Sequence, residues 1–134
     1  MDLKAFLHPA VVSEKKEIVI SKRFLDDEGK PIPFKIRSLT QEENENLTKQ
    51  STHKVKANGR TVEKLDATEF TRRIVVAGTV EPDFSSKEMC DACGVLDPLC
   101  VPAKMLLAGE FSRLAQEIME LSGFETDIFE EAKN

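Results

Sequence analysis

The last long apolar segment of the chain, residues 102–124, constrains the fold more than any other stretch; it reads PAKMLLAGEFSRLAQEIMELSGF. Pro102 suits the first turn of a helix because the N–H that proline lacks would have no partner there. Gly123 can adopt the left-handed conformation that ends a helix. Between these two residues, large apolar side chains recur every three or four positions, which predicts one long helix with an apolar seam in the core. The seam consists of Leu107, Phe111, Leu114, Ile118 and Leu121.

Further apolar residues flank this seam and widen the apolar face. Methionine adapts to irregular surfaces, and an apolar helical face can pack against a partner helix. The competing interpretation is that the whole face belongs to the core. We predict that the flanking residues and the apolar residues beyond Gly123 bind a partner: Met105, Ala115, Met119, Phe124, Ile128 and Phe129. On this prediction, Met119→Glu weakens partner binding more than folding.

Two runs near the N-terminus that alternate apolar and polar residues predict a β-hairpin over about residues 17–38. The segment 26–30 between them has turn chemistry, and Gly29 is free to take a positive φ. Pro31 and Pro33 cannot donate ladder hydrogen bonds, so we expect the second strand to be an edge strand at its start. A lone hairpin is marginally stable in water, so its apolar face should lie on helices.

Capping patterns predict where three further helices begin. Thr40 followed by Glu43 forms a capping box and predicts a helix that extends to about residue 50. The segments 65–70 and 84–89 each combine a capping box with a hydrophobic staple. They predict helices over about 67–77 and 86–93, each followed by a glycine.

The polar stretch 51–64 lies between the first two of these helices. It contains Asn58-Gly59 and predicts a turn or a mobile loop. Together these patterns predict one α+β domain over residues 1–134, with a β-hairpin at about 17–38, a helical region of about four helices at 40–123, and an acidic tail at 124–134.

The charge balance excludes several classes of function. A net charge of −5 over 134 residues, with dispersed basic side chains, argues against binding to nucleic acid. No apolar run has the length of a membrane span, and the N-terminal residues are too short and interrupted for a secretory signal. We therefore expect a cytosolic protein whose three cysteines are reduced.

Cys90 and Cys93 form a C-x-x-C pair, and Cys100 follows. A structural zinc ion takes four Cys or His ligands, whereas His8 and His53 are distant in the sequence. The pair also lies inside a predicted helix, although a redox C-x-x-C is expected where a helix begins after a strand. We therefore expect ordinary thiols, and a metal site is the alternative interpretation.

No other arrangement of residues predicts catalysis. The acidic residues lie mostly in caps and on polar faces, and the six glycines are scattered rather than gathered in a phosphate-binding loop. Neither histidine lies near a candidate nucleophile in the sequence. We predict a protein that is not an enzyme and has no catalytic, cofactor-binding or metal-binding residues.

Four motifs occur in a recognisable order along the chain. They are LKAFL at 3–7, FKIRSLT at 34–40 with Glu43, VEPDF at 80–84, and an ending that runs from MLLAGE at 105–110 to LSGF at 121–124. Their order and spacing resemble the XkdN-like tail assembly chaperones, which are encoded by contractile-tailed phages and prophages of Gram-positive bacteria. The resemblance covers nearly the whole chain.

This resemblance implies a non-enzymatic chaperone that binds the tape-measure protein of the phage tail. Such a chaperone keeps the partner's apolar helices soluble until tail tube subunits polymerise around it. It acts in the host bacterial cytoplasm and is not retained in the virion. Tail tube subunits and a second copy of the chain are further candidate partners, whereas nucleic acid and membranes are not.

Two alternative functions remain open at this point. The first is a minor structural or connector protein of the phage tail. The second is a metal-binding regulator that uses Cys90, Cys93 and Cys100. A connector protein would be present in the purified virion, and a metal-binding regulator would contain metal after purification; neither is expected of a chaperone.

Overall fold

The computed structural model describes residues 3–11 and 13–124 and confirms an α+β fold. Strands and helices alternate along much of the chain. In chain order the elements are α1 Lys4–Leu7, β1 Lys15–Ile18, β2 Phe34–Arg37, α2 Gln41–Gln50, β3 Thr52–Ala57, β4 Arg60–Leu65, α3 Ala67–Gly78, β5 Thr79–Glu81, α4 Lys87–Cys93, α5 Cys100–Met105 and α6 Ala108–Leu121.

The predicted N-terminal hairpin is present as the antiparallel pair β1–β2, in which Ile18 lies opposite Phe34. A third strand, β5, pairs with the other side of β2, so the sheet order is β1–β2–β5. Pairing with β5 begins only at Lys35, so the first residue of β2, Phe34, pairs with β1 alone, as expected for a second strand that is an edge at its start. The ladder begins at Phe34, directly after Pro33, so the prolines do not have to donate hydrogen bonds to it.

The stretch 51–64 was predicted as a turn or mobile loop, and most of it forms a second hairpin, β3–β4. Asn58 and Gly59 form its two-residue turn, with φ values of 53° and 77°. Positive φ at both positions is the geometry that matches the twist of two antiparallel strands. The turn was predicted correctly and the strands were missed, because their side chains are largely polar.

The three predicted helix starts are present, with differences in their caps. Around α2, Thr40 and Glu43 form the complete predicted capping box. At α3, Asp66 accepts a hydrogen bond from the N–H of Glu69, but the Glu69 carboxylate binds other side chains and the reciprocal half of the box is missing. At α4 the cap is Ser86, one residue later than predicted.

The single long helix predicted from Pro102 is two helices, α5 and α6, separated by Leu106 and Leu107. Both residues are extended, with ψ values of 144° and 155°. The Glu110 carboxylate accepts a hydrogen bond from the N–H of Leu107 at 2.8 Å, which satisfies a free donor where the second helix begins. Leu107 was predicted to lie in the seam, but 59% of its surface is exposed.

The core lies between the inner face of the sheet and helices α3 to α6. Helix α6 crosses α3, where buried Gly78 lies against Ile118. Ala115 and Met119, only 1% and 9% exposed, belong to this core rather than to a free helical face. Its other members are Ile20, Phe34, Ile36, Leu39, Ile74, Val75, Phe84, Cys90, Val101, Leu106, Leu114 and Ile118.

Candidate partner-binding cleft

An apolar cleft of about 400 Å³ lies beside the sheet, where the loop before β2 faces α4 and α5. This volume is within the usual range of ligand pockets, roughly 300–1,000 Å³. Glu81 is its only charged lining residue among those described. We call this surface the apolar cleft, and its lining residues are Phe24, Ile32, Pro33, Phe34, Glu81, Pro82, Met89 and Met105.

Different elements hold the walls of the cleft. Phe34 is almost completely buried and links the cleft to the core through edge contacts with Phe84, at a ring-centroid distance of 6.5 Å. Phe24 packs on the other side of Phe34 at 6.0 Å. Ile32 remains 47% exposed, so an apolar surface is available to a partner at the mouth.

Arg23 fixes one end of the cleft. Its guanidinium lies 4.9 Å from the ring centre of Phe24 and donates a hydrogen bond to the backbone carbonyl of Met105 at 3.0 Å. It also donates to both carboxylate oxygens of Glu110 at the start of α6, one of them at 3.2 Å. Arg23 therefore joins the loop that carries Phe24 to the junction between α5 and α6.

The charge on Glu110 is strongly favoured in this arrangement. Hydrogen bonds from Arg23, then from Ser21 and from the backbone of Leu107, lower the pKa of Glu110 to about 2. The Arg23–Glu110 pair is thus ionised throughout the neutral range. The cleft has rigid supports at this end and adaptable methionines in its walls.

Sequence comparisons assign the chain to a family. Residues 3–133 match the model of the phage XkdN-like tail assembly chaperone protein family. The chain belongs to this family. It is 37% identical to the phage-like element PBSX protein XkdN of Bacillus subtilis, over 99% of this chain and 94% of that protein. It is also 37% identical to the B. subtilis protein YqbN, over 95% of this chain and 87% of that protein.

The fold agrees with this assignment. The crystal structure of the protein YqbN matches with a TM-score of 0.81 and 33% sequence identity. The match covers 93% of this chain and 98% of the crystallised chain. The resemblance inferred from motif order is therefore confirmed, and the protein has a phage tail-related role as a member of the XkdN-like chaperones.

Among the predicted partner-binding residues, only Met105 lies in the apolar cleft. Ala115 and Met119 are buried in the core, and Phe124 packs against the core at the opposite end of α6. Helix α6 has 14 residues, about 20 Å at the usual rise, so these positions do not form one surface with Met105. Ile128 and Phe129 lie outside the described residues.

Most of the cleft was missed in the sequence because its residues are dispersed along the chain. Phe24, Phe34 and Met89 come from three segments that no periodicity joins. One local signal was available, because Ile32 is an apolar residue between two prolines, neither of which can donate a hydrogen bond to a ladder.

The three cysteines are free thiols that differ in burial. Cys90 is buried, and its thiol lies 4.0 Å from the carbonyl oxygen of Phe84, whereas Cys93 and Cys100 are half-buried. Within residues 3–11 and 13–124, no three His, Cys, Asp or Glu side chains are grouped so that they could hold a metal ion. Over the same residues, none of the helices has both the length and the apolar character of a membrane span.

Proposed function

We propose that this chaperone-family protein binds an apolar helical segment of the tape-measure protein in its apolar cleft. Binding keeps that partner soluble in the host cytoplasm until the tail tube assembles, and the protein is not retained in the virion. It acts by binding alone, without catalysis. The proposal rests on one observation above all: an open apolar cleft in a member of a tail assembly chaperone family.

The chemistry of the cleft suits such a partner. Its walls are almost entirely apolar, and transferring apolar surface from water into it contributes about 25 cal/mol per Å². Met89 and Met105 can adapt to different side chains, as a chaperone for a long helical partner requires. Glu81 at the rim already forms an ion pair with Lys35 at 3.6 Å, but 62% of its side chain is exposed, so it can also pair with a basic residue that flanks the apolar stripe of the partner.

Co-expression with the tape-measure protein of the same phage or prophage tests the proposal. We expect the two proteins to co-purify and the tape-measure protein to shift from the insoluble to the soluble fraction. Ile32→Glu and Met105→Glu should each lower the affinity about tenfold or more, because they place an unpaired carboxylate against apolar surface. Absence of co-purification together with no gain in solubility would count decisively against the proposal.

Leu96→Glu is the matched control. Leu96 is 100% exposed and lies outside the cleft, so the same change of chemistry should leave tape-measure binding unchanged. Circular dichroism of all three variants separates loss of binding from loss of folding. If Leu96→Glu lowers binding as much as Ile32→Glu does, the cleft is not the binding surface.

Mass spectrometry of purified virions separates a chaperone from a connector protein. We expect the protein to be missing from finished particles, whereas a minor structural component would be present in a fixed ratio to the tube subunit. Metal analysis of the purified protein addresses the regulator alternative. Equal metal content with and without Cys90→Ala is the result expected of a protein that does not use its thiols for metal.

A further inference from the structure

The β3–β4 hairpin is held at its base and is otherwise uncovered by the described part of the chain. At the base, the N–H of Asp66 donates to the carbonyl of Ser51 at 2.8 Å, and His53 contacts Glu69 at 3.0 Å. Every residue of β4 is exposed, as is every residue of β3 after Thr52. Within residues 3–11 and 13–124, each of the two strands pairs only with the other, so each has a free edge of backbone N–H and C=O groups.

The strand register determines which backbone groups of β4 face outward. Arg60 directly follows the two-residue turn, where opposite residues exchange both of their hydrogen bonds. Hydrogen-bonded pairs alternate with pairs that are not hydrogen-bonded, so Val62 and Lys64 also direct their N–H and C=O groups towards β3. Thr61 and Glu63 therefore direct theirs to the free edge of β4, where another strand could pair with them.

Cationic and apolar side chains alternate along this edge on one face of the hairpin. Arg60 and Lys64 lie on either side of Val62, about 13 Å apart at the usual strand rise. Val62 is opposite Val55, and these two residues remain 42% and 39% exposed. Among residues 3–11 and 13–124, no carboxylate forms an ion pair with Arg60 or Lys64. We call residues 60–64 the basic edge.

Two carboxylates lie near the base of the hairpin, and both have partners of their own. Asp66 accepts a hydrogen bond from the N–H of Glu69 at 3.0 Å, and Glu69 binds the side chains of His53 and Arg73. Arg60 lies at the other end of β4, beside the turn. The hairpin, residues 52–65, contains four basic residues and one acidic residue in a chain whose net charge is −5. Its charge therefore favours an acidic partner.

An extended acidic segment fits the basic edge better than a second hairpin does. Addition of a strand to an exposed sheet edge is an established mode of peptide recognition, in which backbone hydrogen bonds give affinity and alternate side chains give specificity. Two copies of this hairpin would bring like charges together, and basic side chains on edge strands oppose such pairing. In an added strand, every second side chain lies on the same face. An acidic–apolar–acidic alternation would therefore match Lys64, Val62 and Arg60.

We propose that the basic edge of β4 binds an extended acidic segment of a partner protein as a third strand of the hairpin. The outward N–H and C=O groups of Thr61 and Glu63 pair with the backbone of that segment. Its carboxylates pair with Arg60 and Lys64, and an apolar side chain between them packs on Val62. The proposal does not rest on the function of the apolar cleft, because the hairpin contributes no residue to that cleft.

Titration of the full-length, isotope-labelled chain with the synthetic peptide Ser-Thr-Asp-Thr-Val-Thr-Glu-Thr-Ser tests the proposal by nuclear magnetic resonance. We expect the amide signals of β4 to shift, and the effect to weaken as salt concentration rises. At saturation, hydrogen exchange of the Thr61 and Glu63 amides should slow about tenfold or more, because these amides gain acceptors. The Val62 amide already has an acceptor in β3 and should change less. A peptide with lysine in place of both acids should bind about tenfold more weakly or not at all.

Thr61→Pro removes one outward N–H from the basic edge. Proline is tolerated on edge strands where the N–H faces solvent, so the hairpin should persist. We expect the peptide affinity to fall about tenfold or more, since the ring also occupies the position of the lost donor. Thr61→Val is the matched control, because it retains the N–H, and its affinity should stay within about twofold. Contacts between Val55 and Val62, observed by magnetic resonance, show whether the hairpin is intact.

A pair of charge variants tests the same edge without a change of the backbone. Arg60→Gln with Lys64→Gln should lower the peptide affinity about tenfold or more. Lys54→Gln with Lys56→Gln makes the same change in net charge on the other face of the hairpin and should lower the affinity only about twofold. This comparison decides the matter even if Thr61→Pro unfolds the hairpin.

Four results would overturn the proposal. The first is an acidic peptide that leaves the β4 amides unchanged at low salt. The second is an equal loss of affinity in the two double charge variants. The third is a shift of these amides with a single-stranded oligonucleotide but not with the peptide, which would assign the cations to nucleic acid. The fourth is much tighter peptide binding after the four carboxylates within residues 125–131 are changed to amides, which would assign the edge to the chain's own C-terminal segment.

Discussion

Gly78 and Ile118 lie in direct contact where α3 and α6 cross. A Cβ atom on Gly78 would lie 2.9 Å from Cδ1 of Ile118, which is closer than real Cβ contacts. Ile118 is completely buried, so its side chain has little room to move. The lack of a side chain at Gly78 therefore sets how closely the two helices approach. Through α6, this contact also positions Glu110, which holds Arg23 at the end of the apolar cleft.

Gly78→Ala should destabilise the protein by about 1–3 kcal/mol, the usual cost of overpacking a core. In an exposed helix interior the same substitution stabilises by about 1 kcal/mol, because alanine favours the helix more than glycine does. The sign of the change therefore reports on the contact with Ile118. Urea unfolding followed by circular dichroism measures it.

Gly109→Ala provides the control for this prediction. Gly109 is also helical, but apart from its neighbours in α6 no atom lies within 4 Å of the position that its Cβ would take. We expect this variant to be unchanged or to gain up to about 1 kcal/mol. A similar loss of stability in both variants would show that the crossing of α3 and α6 is not the cause.

Glu43 should make folding stability depend on pH in the acidic range. Its carboxylate accepts hydrogen bonds from both terminal nitrogens of Arg37, at 2.6 and 3.0 Å, and also from the N–H of Thr40. Arg37 is the main reason that the pKa of Glu43 falls from 4.5 to about 2. Because the folded-state pKa is the lower one, the stabilisation is fully present above about pH 4.5 and is lost as the pH falls through 2.

Glu43→Gln isolates this charge, since glutamine can still cap the N–H of Thr40. Both members of the pair are about one-third exposed, so solvent screening limits the expected loss to about 1 kcal/mol at pH 7. At pH 2.5 the free energies of unfolding of this variant and of the unmodified protein should differ by less than they do at pH 7. Glu42→Gln removes a charge from the same helical turn and should not reproduce this pattern. If the free energies of unfolding of Glu43→Gln and of the unmodified protein differ equally at both pH values, the ionised Glu43 is not the cause of the pH dependence.

Local signals in the sequence were sufficient to predict where α2, α3 and α4 begin. The Thr40–Glu43 box lies within four consecutive residues, so short-range chemistry alone determines it. The break after Met105 depends instead on a partner far away in the chain, because Arg23 binds both the Met105 carbonyl and Glu110. No pattern within residues 102–124 contains that contact, so a continuous helix was the reasonable local prediction.

The second hairpin and the cleft illustrate two other limits. Asn58-Gly59 is a strong hairpin signal, but only Val55 and Val62 mark the strands as apolar at the centre, so the alternation was weak. The cleft brings together segments that are distant in the sequence. Met105 was predicted to bind a partner because it lies beside the apolar seam, but the structure interrupts that seam after Met105. Tertiary contacts, rather than periodicity, determine which apolar residues stay accessible.

Gly59→Ala should destabilise the β3–β4 hairpin without affecting the core. Gly59 has a φ of 77°, a conformation that costs a residue with a Cβ about 1 kcal/mol. Because the hairpin is exposed and anchored only at its base, the effect should remain local. Hydrogen exchange should show faster exchange of β3 and β4 amides, with unchanged protection in α3 and α6. Equal loss of protection in those helices would show that the hairpin is part of the global folding unit.

Met119→Glu should mainly reduce folding stability, whereas Met105→Glu should mainly reduce binding of the tape-measure protein. Met119 is 9% exposed inside the core, so a carboxylate there has no partner and should cost about 3 kcal/mol or more. Met105 is half-buried at the cleft, and its substitution should cost about 1 kcal/mol while it lowers tape-measure binding. Thermal unfolding of both variants, followed by co-purification of the folded ones, measures this contrast. A Met119→Glu variant with undiminished stability and weakened binding would instead support the sequence-based prediction that the α6 face itself contacts the partner.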